Sequence, residues 1–273
     1  GCISGDTGRR IVCGIGIFLV VLGQIFGIVA CVSISKGGDA VKNVPFAYAS
    51  NKDWDMVPGG FERGTVEIFF GLQVAVFRVA SGVDLSMVPA GYLPEGIEAG
   101  KDLVLSWSDI KDSPLICTDG DGDTKACHEC ADKSGSLIAL VILVTIFNIF
   151  SLFPFIQRMN AEKDSVFTKN MSLLLLIGVV LNLAQLGHFD QSCFQNWIKA
   201  SGGDDWTTTL AVGWWFMIFM VFLDAAKLIL HALIPVPDGR IKESATNEGT
   251  AMGAGASPGK QPAFMVHQTS GAV

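Results

Sequence analysis

Four stretches of this chain exclude charge for long enough to cross a bilayer, and no other feature limits the fold as strongly. Residues 11–33, 136–156 and 171–189 contain no Asp, Glu, Lys or Arg, and residues 210–234 admit only Asp224, Lys227 and the titratable His231. A hydrocarbon core of about 30 Å takes about 20 helical residues, so each stretch is long enough to span. With half of all residues hydrophobic and 16% charged, the chain departs from an ordinary soluble domain in the same direction. The expected fold is an α-helical membrane protein, a four-transmembrane-helix bundle. The first stretch exceeds the roughly 7–15 apolar residues of a signal-peptide core, so it is read as a span and not as a leader.

Basic residues orient the spans. Arg9 and Arg10 precede the first, Arg158, Lys163 and Lys169 lie between the second and third, and Arg240 and Lys242 follow the fourth. The connection 190–209 has Lys199 against Asp190, Asp204 and Asp205. The positive-inside rule then places 1–10, the turn 157–170 and the tail 235–273 in the cytoplasm, with loops 34–135 and 190–209 outside a plasma membrane. Trp206, Trp214 and Trp215 sit where an interfacial aromatic belt would on the outer side. The tail from Asp238 onward has no apolar period and reads as disordered.

The long outer loop can fold on its own account. In "TVEIFFGLQVAVFRV", residues 65–79, apolar side chains recur at every even position from 66 to 76, the period of a strand with one covered face. "DLVLSWS", residues 102–108, repeats the alternation, and Pro/Gly turns lie between. A small extracellular antiparallel β-sheet is expected.

One segment of that loop, "CTDGDGDTKACHEC" from Cys117 to Cys130, offers three chemistries. Outside a cell thiols oxidise, which favours disulfides over a zinc site. Cys117, Cys127, Cys130 and Cys193 are the outward cysteines; Cys193 is alone in its loop and would join the long loop to the short one if all four pair. Asp119, Asp121 and Asp123 hold positions 1, 3 and 5 of an EF-hand loop. Thr124 stands where that loop needs Gly and Cys130 where it needs Glu, so only a weak extracellular calcium contact is implied. No other cofactor is expected. The sequence begins "GCISGDTGRR", which offers Gly1 for myristoylation, although Ser4 is one place early for that pattern, and Cys2 for palmitoylation.

Within the spans, Gly23 and Gly27 form a Gly-xxx-Gly pair that admits close helix packing. Gln24, Asn148, Asn182 and Gln185 are read as interhelical glue before any ion path. Asp224 and Lys227, three apart, can pair on one helix face, with Lys227 snorkelling inward from the cytoplasmic third.

This arrangement of four helices, internal ends, a sheet in a long first outer loop and a short second loop resembles the claudin, epithelial membrane protein and peripheral myelin protein superfamily. Trp54 is similar to that family's first loop Trp, and Gly71-Leu72 to its Gly-Leu. The pattern then departs: Gln73 replaces a second Trp, and Val76 stands where the first of two bonded cysteines is expected. The resemblance implies a structural membrane protein that self-associates into strands or arrays and can appose membranes, with membrane lipids and its own copies as partners. No nucleophile–base pair or phosphate loop points to an enzyme, and nothing points to a nucleic acid or a small-molecule substrate. An oligomeric cation channel, or a subunit that modulates one, is the alternative carried by the acidic outer loop and the membrane amides.

Overall fold

A computed structural model describes residues 6–55, 63–87, 95–111, 125–171, 173–195 and 206–235. Helix α1 (Asp6–Val32) and a short α2 (Gly38–Asn43) lead into strands β1 (Ala47–Asp55), β2 (Arg63–Phe70), β3 (Val74–Val79) and β4 (Asp102–Ser106). Helices α3 (Trp107–Lys111), α4 (Lys125–Phe150), α5 (Leu152–Arg158), α6 (Val166–Asn170) and α7 (Leu173–Phe189) follow. A π-helical turn (Asp190–Phe194), strand β5 (Thr207–Leu210) and α8 (Val212–Leu233) complete the described chain. Four helical segments are long and apolar enough to cross a membrane: Asp6–Val32, His128–Arg158, Val166–Phe194 and Val212–Leu233.

The four pack as a ring in which α1 touches α8 and α4, and α7 touches α8 and α4. Small residues set the α1 contact. A Cβ on Gly16 would fall inside the Phe155 ring; one on Gly23 would lie 3.2 Å from Asn148 Oδ1, and one on Gly27 3.0 Å from Thr145 Oγ1. Gly23 and Gly27 are therefore buried inside the protomer, where they admit α4 and Met220 of α8. The opposite side of α1 exposes Ile11, Phe18 and Ile25, the apolar surface a helix presents to lipid.

The second span is interrupted at a recognisable place. Pro154 has no N–H to return to Phe150 O, so α4 ends at Phe150 and α5 restarts at Leu152. At its other end α4 begins at Lys125, well before the charge-free stretch, so the Cys127–Cys130 segment is helical where a loop was expected through residue 135.

The sheet is antiparallel throughout, in the order β4-β3-β2-β1-β5, so both loops contribute to it. The single strand expected over 65–79 is two strands joined by a turn at 71–73. Gly71 makes that turn possible: a Cβ there would lie 2.8 Å from both Ser33 O and Val74 O. Because Phe70 is opposite Ala75, the inward phase switches from even to odd numbers across the turn. Ile68, Phe70, Ala75 and Phe77 join one core with the helix ends, while Val74 and Val76 pack with Val41 of α2 on the other face. Strand β4 stops two residues short of the expected 108. Ser106 and Asp109 cap α3 reciprocally, Asp109 N donating to Ser106 Oγ (3.2 Å) and Ser106 N to Asp109 Oδ2 (3.1 Å).

Candidate functional site

The polar residues inside the bundle are gathered into one seam. Asp224, Lys227 and His231 follow each other at spacings of three and four, the spacing that keeps side chains on one helix face. All three are buried: Asp224 is 4% exposed, Lys227 0% and His231 1%. Lys227 Nζ donates to Asp224 Oδ1 on its own helix and to Asn148 Oδ1 on α4. Asn148 Nδ2 in turn donates to Val20 O (3.0 Å) and to Gln24 Oε1 (3.1 Å) on α1. Lys227 thus turns into the bundle instead of snorkelling to its boundary, because two acceptors lie within reach there. Asn148 and Gln24 link helices, as glue would. Asn182 and Gln185 on α7 are equally buried but donate to and accept from none of the described residues in good geometry.

Below the seam, at the end of the bundle away from the sheet, lies a second buried cluster. Asp164 accepts from Arg9 Nη1 and from Arg158 Nε (3.2 Å). Arg158 also donates to His231 O (2.7 Å) and Ile234 O (2.6 Å), and Arg9 Nη2 donates to Pro235 O (2.6 Å). These carbonyls at the end of α8 have no intrahelical partner, so the two guanidinium groups act as its cap. Arg158 Nη1 also lies 3.3 Å from His231 Nδ1. A guanidinium only donates, so Nδ1 is the accepting side of this contact. Its ring stacks on Phe155 at 3.9 Å between centroids. In the sequence Arg9 and Arg158 stand only as markers of orientation. Nothing local pairs them with an aspartate that is 155 residues from Arg9 in sequence.

At the other end, beside the sheet, two of the helices are tied together. Cys130 on α4 and Cys193 in the turn after α7 form a disulfide, with Cα atoms 4.6 Å apart. Cys117, Asp119, Asp121 and Asp123, with Gly1 and Cys2, lie outside the described residues, as does the side chain of Cys127. Among the described residues no group of three or more His, Cys, Asp or Glu could hold a metal. Asp102 on β4 accepts from Arg78 Nε (2.7 Å) on β3 and from Lys42 on α2. Burial pushes the Asp102 carboxyl up, but these two cations outweigh it and hold the carboxyl below its ordinary value; the same bonds raise Lys42 and Arg78.

The residues that carry the family resemblance fall on the sheet. Gly71 and Leu72 form the β2–β3 turn, and Leu72 N donates to Ser33 O (3.0 Å) at the end of α1. Trp107 closes over this turn from α3: its Nε1 donates to Gly71 O (3.3 Å), its backbone N to Gln73 O (3.3 Å), and its ring stacks on Phe70. Val76 lies opposite Val104 across β3 and β4. No family model matches the chain, and no curated protein is found to match it.

Proposed function

We propose that this chain is a structural membrane protein that associates laterally with its own copies through the sheet. One observation carries the reading: the five-stranded sheet ends in two different strands, β4 and β5, each paired on one side only among the described residues. An unpaired strand edge is a template for another strand. Two unlike edges on one sheet join head to tail, and such a contact repeats into an open row of copies. Four spans hold every copy upright in the same bilayer, so each addition meets the next in one orientation. The basic flanks support placing the sheet outside a plasma membrane and both ends of the chain in the cytosol. Gly23 and Gly27 take no part in this contact, being spent within the protomer.

The cation-channel alternative has less behind it. The polar seam stops beneath Phe46, Leu186, Phe189 and Met217, all buried, and its best-connected amide cross-links helices. Reconstitution at high protein density tests the proposal: electron micrographs are expected to show linear or two-dimensional rows, without cation flux in liposomes. Lysine at both edges (Val104→Lys with Thr209→Lys) sets like charges facing each other at every junction and is expected to disperse the rows. Wild-type protein that remains as single copies at every lipid ratio overturns the reading.

A further inference from the structure

Asn182 and Gln185 stand one turn apart on α7, each 0% exposed, with all four of their side-chain polar atoms lacking a good hydrogen bond among the described residues. An amide in an apolar interior is costly unless its donors and acceptor are satisfied, and native proteins rarely leave such groups alone. Their neighbourhood says what could satisfy them. One turn before Asn182, Gly178 brings the α7 backbone against α8, where a Cβ would sit 3.7 Å from Asp224 Oδ2. Asp224 directs Oδ1 to Lys227 and Oδ2 toward α7, and the Asn182 amide approaches this carboxylate without the geometry of a good hydrogen bond. Gln185 continues the same face one turn nearer the sheet. Beyond it, Leu186 and Phe189 close the core.

The occupant must be small, because the amides and their neighbours Leu186 and Phe189 are buried. It must both donate and accept, because two carboxamides present N–H groups and carbonyl oxygens together. It has no call to be charged, because Lys227 already neutralises Asp224. Those requirements describe water, which in protein interiors typically makes about three hydrogen bonds to groups left otherwise unmet.

We propose that Asn182, Gln185 and Asp224 form an internal water-binding site between α7 and α8, and that the bound water solvates Asp224 Oδ2, the oxygen turned toward α7. The site explains how an ion pair persists at this depth: part of its hydration is carried into the bundle with it. It also gives the two α7 amides a task different from that of Asn148, which bonds helix to helix directly.

The test is a map of the full chain in lipid nanodiscs, at a resolution that displays ordered water elsewhere in the protein. Density within hydrogen-bonding distance of the Asn182 or Gln185 amide and of Asp224 or a backbone carbonyl is the expected result. An amide region without density overturns the proposal. A peak with five or six oxygen contacts near 2.4 Å overturns it as well, since about that geometry marks a cation. Stability gives an independent reading. Asn182→Leu and Gln185→Leu remove the amides with little change in volume. If water satisfies these groups, each variant lowers the thermal midpoint by several degrees. Midpoints that rise or stay put mean the amides were unmet, and that outcome overturns the site. A variant that fails to fold leaves the decision to the wild-type map.

Discussion

Asp102 shares one carboxylate between Arg78 and Lys42, and through them ties β4 to β3 and to α2. Its carboxyl is held below the ordinary value near 3.8, so the folded state binds its proton less readily than the unfolded chain does. The stabilisation is therefore complete above about pH 4 and is lost as pH falls through the lowered value. Asp102→Asn is expected to cost about 1 kcal/mol, a partly exposed pair being worth no more. Hydrogen exchange should read this as a roughly fivefold loss of protection confined to β4 and its partner strand. The wild-type protein should lose that difference below the window. Equal β4 protection in both proteins at neutral pH would refute the link. The cluster was invisible in the sequence, since Asp102, Arg78 and Lys42 belong to three elements whose register only the folded sheet sets. Gly71-Leu72 was visible as a motif, but its cause was not: the glycine is needed because the end of α1 passes within backbone contact.

The start of α4 at Lys125 shows why hydropathy marks membrane crossings better than it marks helices. Charge exclusion ends at Ser136, yet the helix continues for eleven residues of polar sequence and brings Cys130 to Cys193. Strands β1 and β5 escaped notice for a related reason. "AYASNKDWD" and "TTTL" lack apolar alternation because their inward positions are Ala47, Ala49 and Leu210. The disulfide spans 63 residues of sequence and holds the sheet-bearing ends of α4 and α7 together. Cys130→Ser or Cys193→Ser is expected to destabilise by about 2–4 kcal/mol, as closing a loop of this length does. Non-reducing peptide mapping should recover the two cysteines on one linked peptide, and thermal scans should give both single variants and the double variant the same midpoint. A free thiol at Cys193 in native protein would contradict the bond.

Taken as one body, the protein is locked at both ends by devices of different kinds, a covalent bond beside the sheet and an ion cluster opposite it. The four spans were legible because they are a property of composition. The ion cluster was not, because it joins the beginning of α1, the end of α5, the turn before α6 and the end of α8. Arg158 is wholly buried, and removing it leaves Asp164 with Arg9 alone and the His231 and Ile234 carbonyls at the end of α8 without their donor. Arg158→Met and Asp164→Leu are each expected to cost about 3–5 kcal/mol, the loss typical of breaking a buried pair from one side. The double variant should cost less than the sum of the singles, since the Arg158–Asp164 pair is then lost once and not twice. Thermal midpoints in lipid measure all three, and a double variant no better than the sum of the singles would exclude a coupled cluster.

The position of β1 has a further consequence, for how the chain is made. It is flanked by β2, which follows within a few residues, and by β5, whose Leu210 pairs with Ala47 from the far side of two membrane-length helices. At ribosomal speeds of about 5–20 residues per second, one flank of β1 waits on the order of ten to thirty seconds for its partner. During that interval the nascent sheet has a temporary open seam, and Cys130 has no Cys193 to meet. A ribosome that stalls before Thr207 therefore releases a product with an adhesive strand and a reactive thiol on the same side of the membrane, the two features by which folding surveillance would recognise it.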